Sequence, residues 1–348
     1  MNDEIKVLIE SVNTACQRFE SDGWNQPLWD ALERIGVTLL PVPEKHGGAG
    51  ADFATTGAVL RALGRNSVSV PLVETALLAG WMLSACGHRV PEGPLSAAVA
   101  GPDVDLRRQG DAWVMTGRLP RVPWAQDVSV IVVLTTSDHG THLVLLDRTA
   151  VDLEPGRNVA GEPRDDLILD AVQLTQTQVL PIAPDSGVTV GAFRERGALG
   201  RALLMAGAAE RVLELTVNYI GERVQFGRSL NKFQVTQQQV AQQAGEVAAA
   251  RISAEAAALE LDANGRAGFA VAAAKARGGE AAGVVTRIGH QLHGAIGFTD
   301  EHELHLCTTR LWAWRDEYGN EDEWSTYLGE HAMSARGAGL WPLLTKTS

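Results

Sequence analysis

Twice along this chain the hydrophobic period changes, and those two changes limit what it can fold into. Between residues 4 and 92 apolar residues recur every three or four positions, the spacing of a helix face; Ile5, Leu8, Ile9 and Val12 are one such series. PLWDALERIG has Pro27 at its start and Gly36 at its stop, the usual asymmetry of a helix. FATTGAVLRALGR and PLVETALLAGWMLSA predict two further helices, and PVPEKHGGAG is a Pro- and Gly-rich loop before them. From about residue 94 to 183 the period falls to two. DAWVMTG, VSVIVVLTT, HLVLLD and LILDAVQL read as strands set apart by turn residues, which makes a compact β insert, a barrel or a sandwich. From about 190 the helical period returns: Leu204, Ala208, Val212, Leu215 and Tyr219 mark one stripe, and Val240, Ala244 and Val247 another. Residues 241–285 are Ala-rich with few helix breakers, which suits a bundle that buries a face against another subunit. The expectation is a mainly α chain with a β insert, divided at 1–93, 94–185 and 186–348.

Composition narrows the partners. A net charge of −12 argues against wrapping nucleic acid, which needs a positive face. Cys16, Cys86 and Cys307 are far apart, and no Cys or His spacing suggests a metal site or a disulfide framework. MNDEIKVLIE lacks the basic and apolar regions of a secretory signal, and no apolar run has the length of a membrane span. A cytoplasmic location is expected.

The motifs are more specific in combination than singly. Arg223-Val-Gln225-Phe226-Gly227 is followed by Gln234, eleven residues after Arg223, and then by Ala241. Farther on comes QLHGAIGFTDEH, from Gln291 to His302. Gly36 with VPEKHGGAG, Trp113-Val-Met-Thr-Gly117 and Arg164-Asp-Asp166-Leu stand in the same order ahead of them. In type, order and spacing this set resembles the acyl-CoA dehydrogenase family over residues 20 to 340. The resemblance implies an N-terminal helical domain, a small middle β-barrel and a C-terminal four-helix bundle. It also implies an FAD cofactor, an acyl-CoA substrate and an electron-transferring flavoprotein as acceptor.

In that family two elements reach across a subunit interface to the neighbour's FAD. By resemblance the contacts here are Arg223, Gln225, Phe226, Gln234, Gln291, Gly294, Ala295 and Gly297. The chemistry suits the residue types. An Arg offers a forked cation to a pyrophosphate, and glycines let a backbone approach closely. Each residue also has an ordinary reading: Arg223 as half of a surface pair with Glu222, Phe226 as core, Gly294 and Gly297 as a helix cap.

The chain departs from the family where a catalytic base is needed. Removing the proton alpha to a thioester takes a carboxylate made more basic by desolvation. Counting from Gln291, one family base position falls on Tyr318 within Glu317-Tyr318-Gly319-Asn320, and a phenol is a poor base. The other falls on Gly197, with Glu195 two residues and about 200° away on a helix. The ring-binding strands are eroded as well: AAVAGPDVDLRRQG replaces one such segment, and Arg121 and Pro123 stand in the Trp and Thr/Ser places of another. The displaced Trp124 is assigned to the β core.

Taken together, the resemblance implies a subunit that carries no base of its own and works with a second acyl-CoA dehydrogenase-like chain. It is similar to the shorter subunit of actinobacterial α2β2 assemblies linked to steroid side-chain thioesters, and RLWAWRDEYG resembles that subunit's tail. Two alternatives stay open. One is a self-sufficient homo-oligomer with Glu195, Asp316 or Glu317 as a relocated base; the other is a non-catalytic binding protein on the same fold. Trp312, Trp314 and Trp324 belong either to a wide pocket or, more in keeping with helical spacing, to core and interface.

Overall fold

The computed structural model describes residues 3–19 and 23–345. Along the chain come α1 (Asp3–Arg18), α2 (Gln26–Ile35), α3 (Phe53–Arg65), a π-type helical run (Val73–Gly80) and α4 (Trp81–Ala85). Eight strands follow: β1 (Leu95–Val99), β2 (Asp105–Gln109), β3 (Ala112–Pro123), β4 (Val130–Ser137), β5 (Gly140–Asp147), β6 (Asp152–Glu154), β7 (Arg164–Leu174) and β8 (Val179–Pro181). The remainder is α5 (Val190–Glu222), the hairpin β9 (Val224–Gln225) and β10 (Arg228–Ser229), α6 (Gln234–Asn264), α7 (Gly268–His293), α8 (Leu304–Asp316) and α9 (Glu321–Thr345). This is the expected mainly α chain with a β insert.

Two compact units divide these elements. One takes Gln17–Asp52 and Ser69–Gly197, the other Met1–Cys16, Phe53–Val68 and Ala198–Ser348. Both draw on the N-terminal helices.

The β-containing unit begins with α2. The Asn25 side chain accepts a hydrogen bond from Leu28 N (3.0 Å) at its start, and Gly36 turns left-handed at its end (φ 85°). PLVETALLAGWMLSA is helical as expected, but its first two turns are widened. Every residue from Val73 to Gly80 is buried, and the Thr75 hydroxyl both donates to Leu95 O and accepts from Leu95 N (3.0 Å each). The strands form two four-stranded sheets, β1-β4-β5-β8 and β2-β3-β7-β6, with β1 and β4 parallel. Met115, Leu119, Trp124, Ile131, Leu146 and Leu167 lie in one core drawn from both sheets. The insert takes the sandwich form, two sheets sharing a core, and among the described residues no strand pairing joins them into a closed ring. Trp124 is 1 % exposed, so its assignment to the β core holds.

In the helical unit α3 and α5 touch backbone to backbone. A Cβ on Gly207 would stand 1.9 Å from Arg61 O, and one on Gly64 would stand 2.0 Å from Leu204 O. Only glycine permits that crossing. Charges flank it: Arg61 lies 3.5 Å from Glu210 and pairs with Glu255, and Arg65 pairs with Glu214. The Asp262 carboxylate accepts from Phe53 N (2.8 Å) and Ala54 N (3.3 Å), capping α3 from α6. The Ala-rich stretch does not run on unbroken. It ends at Gly265 (φ 67°) and resumes as α7, whose small residues let α6, α8 and α9 pack closely around it. Four long helices and the shorter α8 make up the C-terminal bundle.

Candidate flavin-contacting site

Arg223 stands just beyond α5, where its N–H donates to Tyr219 O (2.8 Å) and its carbonyl accepts from Leu230 N (3.0 Å). Between those anchors β9 and β10 form a two-residue hairpin, with Gln225 opposite Arg228. The turn residues Phe226 (φ 56°) and Gly227 (φ 81°) are both left-handed, as a tight hairpin turn requires. A left-handed Gly is ordinary; a left-handed aromatic is uncommon. The turn leaves the Phe226 ring 82 % exposed, which rules out the core reading for it. Its ring meets Phe233 edge-on (centroids 6.3 Å), and the Arg228 guanidinium lies over Phe233 at 4.2 Å. Phe233 immediately precedes Gln234, the first residue of α6. The hairpin thus stays close to α6, and Arg223, Gln225 and Gln234 are all exposed beside it.

A second exposed patch lies where α7 ends. Gln291 is exposed, and Gly294 N donates to His290 O, so Gly294 does cap the helix. Its φ of 66° with ψ −143° suits glycine, and nothing lies within 4 Å of the place a Cβ would take. A 3-10 turn covers Gly294–Phe298, with Ala295 exposed and Phe298 70 % exposed. Gly297 is buried instead. A Cβ there would meet Leu304 Cδ2 at 2.9 Å and His293 Cβ at 3.0 Å.

Around this turn stand four histidines, two of them, His293 and His302, within the QLHGAIGFTDEH motif itself. His290 stacks on Phe298 (4.3 Å) and its Nε2 lies 3.0 Å from Thr308 Oγ1. His293 Nδ1 donates to Gly289 O (2.7 Å), and its ring stacks on Tyr219 (4.6 Å). His302 Nδ1 accepts from Leu304 N (3.1 Å), while His305 Nδ1 donates to His302 O (2.8 Å). Four of the nine histidines falling between residues 290 and 305 was the available signal. Among the described residues no group of His, Cys, Asp or Glu side chains is arranged to hold a metal ion.

At the C-terminal base position the loop after α8 is tied down from inside. Tyr318 takes a left-handed conformation (φ 57°), with the Arg201 guanidinium 5.6 Å from its ring centre. The Glu317 carboxylate accepts from Arg201 Nε at 2.6 Å, with side-chain exposures of 13 % and 3 %. Lys275, fully buried on α7, donates to Arg315 O (2.5 Å) and Gly319 O (2.7 Å). Burial pushes the Lys275 amine down to about 7, with Glu317 acting the other way. Trp324 Nε1 donates to Tyr318 O (3.1 Å); Trp314 and Trp324 are core, while Trp312 is 40 % exposed under Arg315. On α5 Gly197 is buried and Glu195 is half-buried, while Asp316 is exposed.

In the β sandwich Arg121 is also left-handed (φ 54°), and its N–H donates to Asp166 Oδ1 (2.6 Å). That bond, with Arg118 next, holds the Asp166 carboxyl below the usual carboxylate range. Asp165 is fully buried and accepts from Gln126 N (3.1 Å) and Gly156 N (3.2 Å). The Arg164-Asp165-Asp166 landmark therefore organises the loops of this sandwich.

Comparisons with known proteins agree with this architecture. Residues 4–89 match the acyl-CoA dehydrogenase N-terminal domain and residues 190–314 the acyl-CoA dehydrogenase C-terminal domain. The chain is 31 % identical over 291 residues to acyl-CoA dehydrogenase IpdE2 of Mycobacterium tuberculosis, covering 83 % of this chain and 81 % of that protein. Its fold is similar to the crystal structure of the ChsE4-ChsE5 complex from Mycobacterium tuberculosis, with TM-score 0.84, 21 % identity, and 96 % and 98 % of the two chains covered. It is also similar to the Tcur3481-Tcur3483 steroid acyl-CoA dehydrogenase variant, with TM-score 0.81, 22 % identity, and 96 % and 99 % covered. At those identities the structural likenesses speak for the fold alone, and the sequence matches carry the assignment. The chain belongs to the acyl-CoA dehydrogenase family.

Proposed function

We propose that this chain is one subunit of an FAD-dependent acyl-CoA dehydrogenase. It completes the nucleotide site of a partner chain of the same family, and the partner supplies the catalytic base. The observation that carries this reading is the hairpin tip. Phe226 is 82 % exposed in a left-handed turn, beside exposed Arg223, Gln225 and Gln234. A strained, solvent-facing aromatic flanked by a cation and two carboxamides is built to meet something outside its own core.

The residues fit a dinucleotide. Arg223 offers a forked cation to a pyrophosphate, Gln225, Gln234 and Gln291 offer amide donors and acceptors, and Gly294 leaves open space for close approach. When bound, FAD is the oxidant that takes a hydride from the acyl group. What this chain adds is orientation and charge neutralisation at the nucleotide end.

The internal loop supports a base held elsewhere. Tyr318 stands at the family's base position, and the neighbouring Glu317 is engaged by Arg201. That ion pair with a buried guanidinium occupies the carboxylate within this chain. The likeness to a steroid acyl-CoA dehydrogenase supports a steroid side-chain or other bulky acyl-CoA as the substrate class. An electron-transferring flavoprotein is the acceptor under this reading.

The deciding experiment is the FAD-to-chain ratio, measured for the chain alone and for the chain co-purified with its family partner. One FAD per heterodimer and little in the lone chain is the expected result. Full occupancy and acyl-CoA-dependent bleaching in the lone chain would establish a homo-oligomeric enzyme instead.

A further inference from the structure

Tyr219 ties the two exposed patches together. Its carbonyl accepts from Arg223 N at the base of the hairpin (2.8 Å). Its ring stacks on His293 (4.6 Å, interplanar 22°) and stands edge-on to His302 (6.2 Å, 89°). His293 and His302 meet edge-on at 4.7 Å. His293 ends α7 directly before Gly294, and His302 precedes the start of α8 at Leu304, so the two rings bracket the Gly294–Phe298 turn. Resting on the flavin reading above, we propose that Tyr219, His293 and His302 are positioning residues for that site. They form a strut that sets the Arg223 hairpin against the Gln291–Gly297 turn, so that both meet one nucleotide, and the strut holds only while the buried His293 ring is neutral.

The proton positions follow from the hydrogen bonds. His293 Nδ1–H is used on Gly289 O, and its Nε2 makes no hydrogen bond in a side chain 3 % exposed, with the Leu215 carbonyl the acceptor nearby for a second proton. A second proton would put a buried cation between the Tyr219 face and His302. His302 Nδ1 is the acceptor for Leu304 N, so a proton there breaks the bond at the start of α8. Burial lowers the His293 pKa; the Gly289 and Leu215 carbonyls act against it, and His302 and His290 with it. His290 is lowered too, by burial first and then by His305.

The charged groups facing the strut do not reverse this. From α5 comes Arg211, 2.7 Å from Glu303 and 3.5 Å from Glu214. From α8 and the segment before it come Glu303, already engaged by Arg211, and His305, 3.8 Å from Asp300. From α7 comes His290, and from α6 the uncharged Gln243, which donates to Val285 O. Because the folded pKa values of His293 and His290 lie below the unfolded value of 6.5, their contribution is intact above that value. It is lost as the pH falls through the lower folded values.

The test follows amide hydrogen exchange of residues 223–229 and 294–302 in the full chain at about pH 7.5 and about pH 5.5, corrected for intrinsic exchange. Wild type should lose protection in both segments at the lower pH, by at most about tenfold, the ceiling for one excluded proton over the pH unit below the unfolded value. Tyr219→Leu should be open in both segments already at the higher pH. The double variant His293→Gln, His302→Gln should show a clearly smaller pH step than wild type, the remainder belonging to His290 on Phe298. Equal wild-type protection at both pH values, or a full pH step surviving in the double variant, overturns the strut. FAD release from the assembled enzyme is recorded over the same range. An exchange step without FAD release leaves the strut standing and removes the flavin reading; FAD release without an exchange step overturns the strut.

Discussion

Replacing Lys275 by Met tests whether the base-position loop is held from inside. The wild-type amine is fully buried and donates to Arg315 O at 2.5 Å and Gly319 O at 2.7 Å. Losing it strands two buried carbonyls, at about 1–3 kcal/mol each. Against that stands the burden of keeping an amine out of water, and that burden depends on pH. Burial lowers the Lys275 pKa from 10.5 to about 7. Its contribution is therefore largest above the unfolded value and falls by about 1.4 kcal/mol per pH unit as the pH drops toward 7, then levels off. A neutral amine still has two protons for two carbonyls, so the hydrogen bonds survive where the charge does not. K275M has no such slope. Unfolding in urea, followed by circular dichroism, should give a wild-type advantage that grows by about 2–3 kcal/mol between about pH 7.5 and pH 9.5. Parallel stability profiles for the two proteins would mean that the amine keeps an ordinary pKa and that the burial argument is wrong. An advantage below about 1 kcal/mol at the upper pH would mean that the loop does not depend on those two donors.

Three further substitutions probe the frame and the site. Gly207→Ala puts a methyl 1.9 Å from Arg61 O, where only backbone can yield, and should lower stability by about 3 kcal/mol; an unchanged thermal midpoint would refute the α3–α5 crossing. Gly297→Ala forces Leu304 and His293 apart at about 1–3 kcal/mol and should weaken FAD retention more than it lowers the melting temperature; the reverse order would show that the turn is only structural. Arg223→Ala should raise the FAD dissociation constant of the assembled enzyme by roughly ten- to hundredfold, the loss of a charged hydrogen bond of about 1.5–3 kcal/mol; unaltered retention would remove Arg223 from the site.

Long periodic segments were legible in the sequence because one physical rule sets them. FATTGAVLRALGR is α3 from Phe53 to Arg65, HLVLLD and LILDAVQL lie wholly in strands, and VSVIVVLTT does so from Val130 on. β1, β2, β6 and β8 were not read as strands. They have three to five residues each, too few for a period of two to stand out. The widened helix over Val73–Gly80 is a tertiary effect, with Thr75 hooked to Leu95 twenty residues on. Tyr219 read as one member of an apolar stripe, which its half-buried place on α5 supports, but its stacking on His293 joins elements 74 positions apart in sequence and has no local pattern. Lys275 looks like a solvated residue in an Ala-rich helix; only the fold shows two carbonyls waiting for it.

Two aromatic–glycine pairs, Phe226-Gly227 and Tyr318-Gly319, run through the left-handed region, and they differ in what holds them there. A non-glycine residue in that region persists where its surroundings over-determine it. For Tyr318 the chain itself does so. Lys275 holds the carbonyls on either side, Trp324 Nε1 holds its own carbonyl, and the Arg201–Glu317 pair closes the approach. For Phe226 the chain supplies the hairpin ladder and one edge contact with Phe233, and leaves most of the ring in solvent. The first pair is a closed internal joint at the position that counting from Gln291 aligns with a family base. The second is an open joint at the position proposed here to meet a neighbour's cofactor. Under the proposed reading, chemistry that needs a free carboxylate and a fixed nucleotide divides between two chains, and the open joint at Phe226 is the part that this chain offers to the nucleotide.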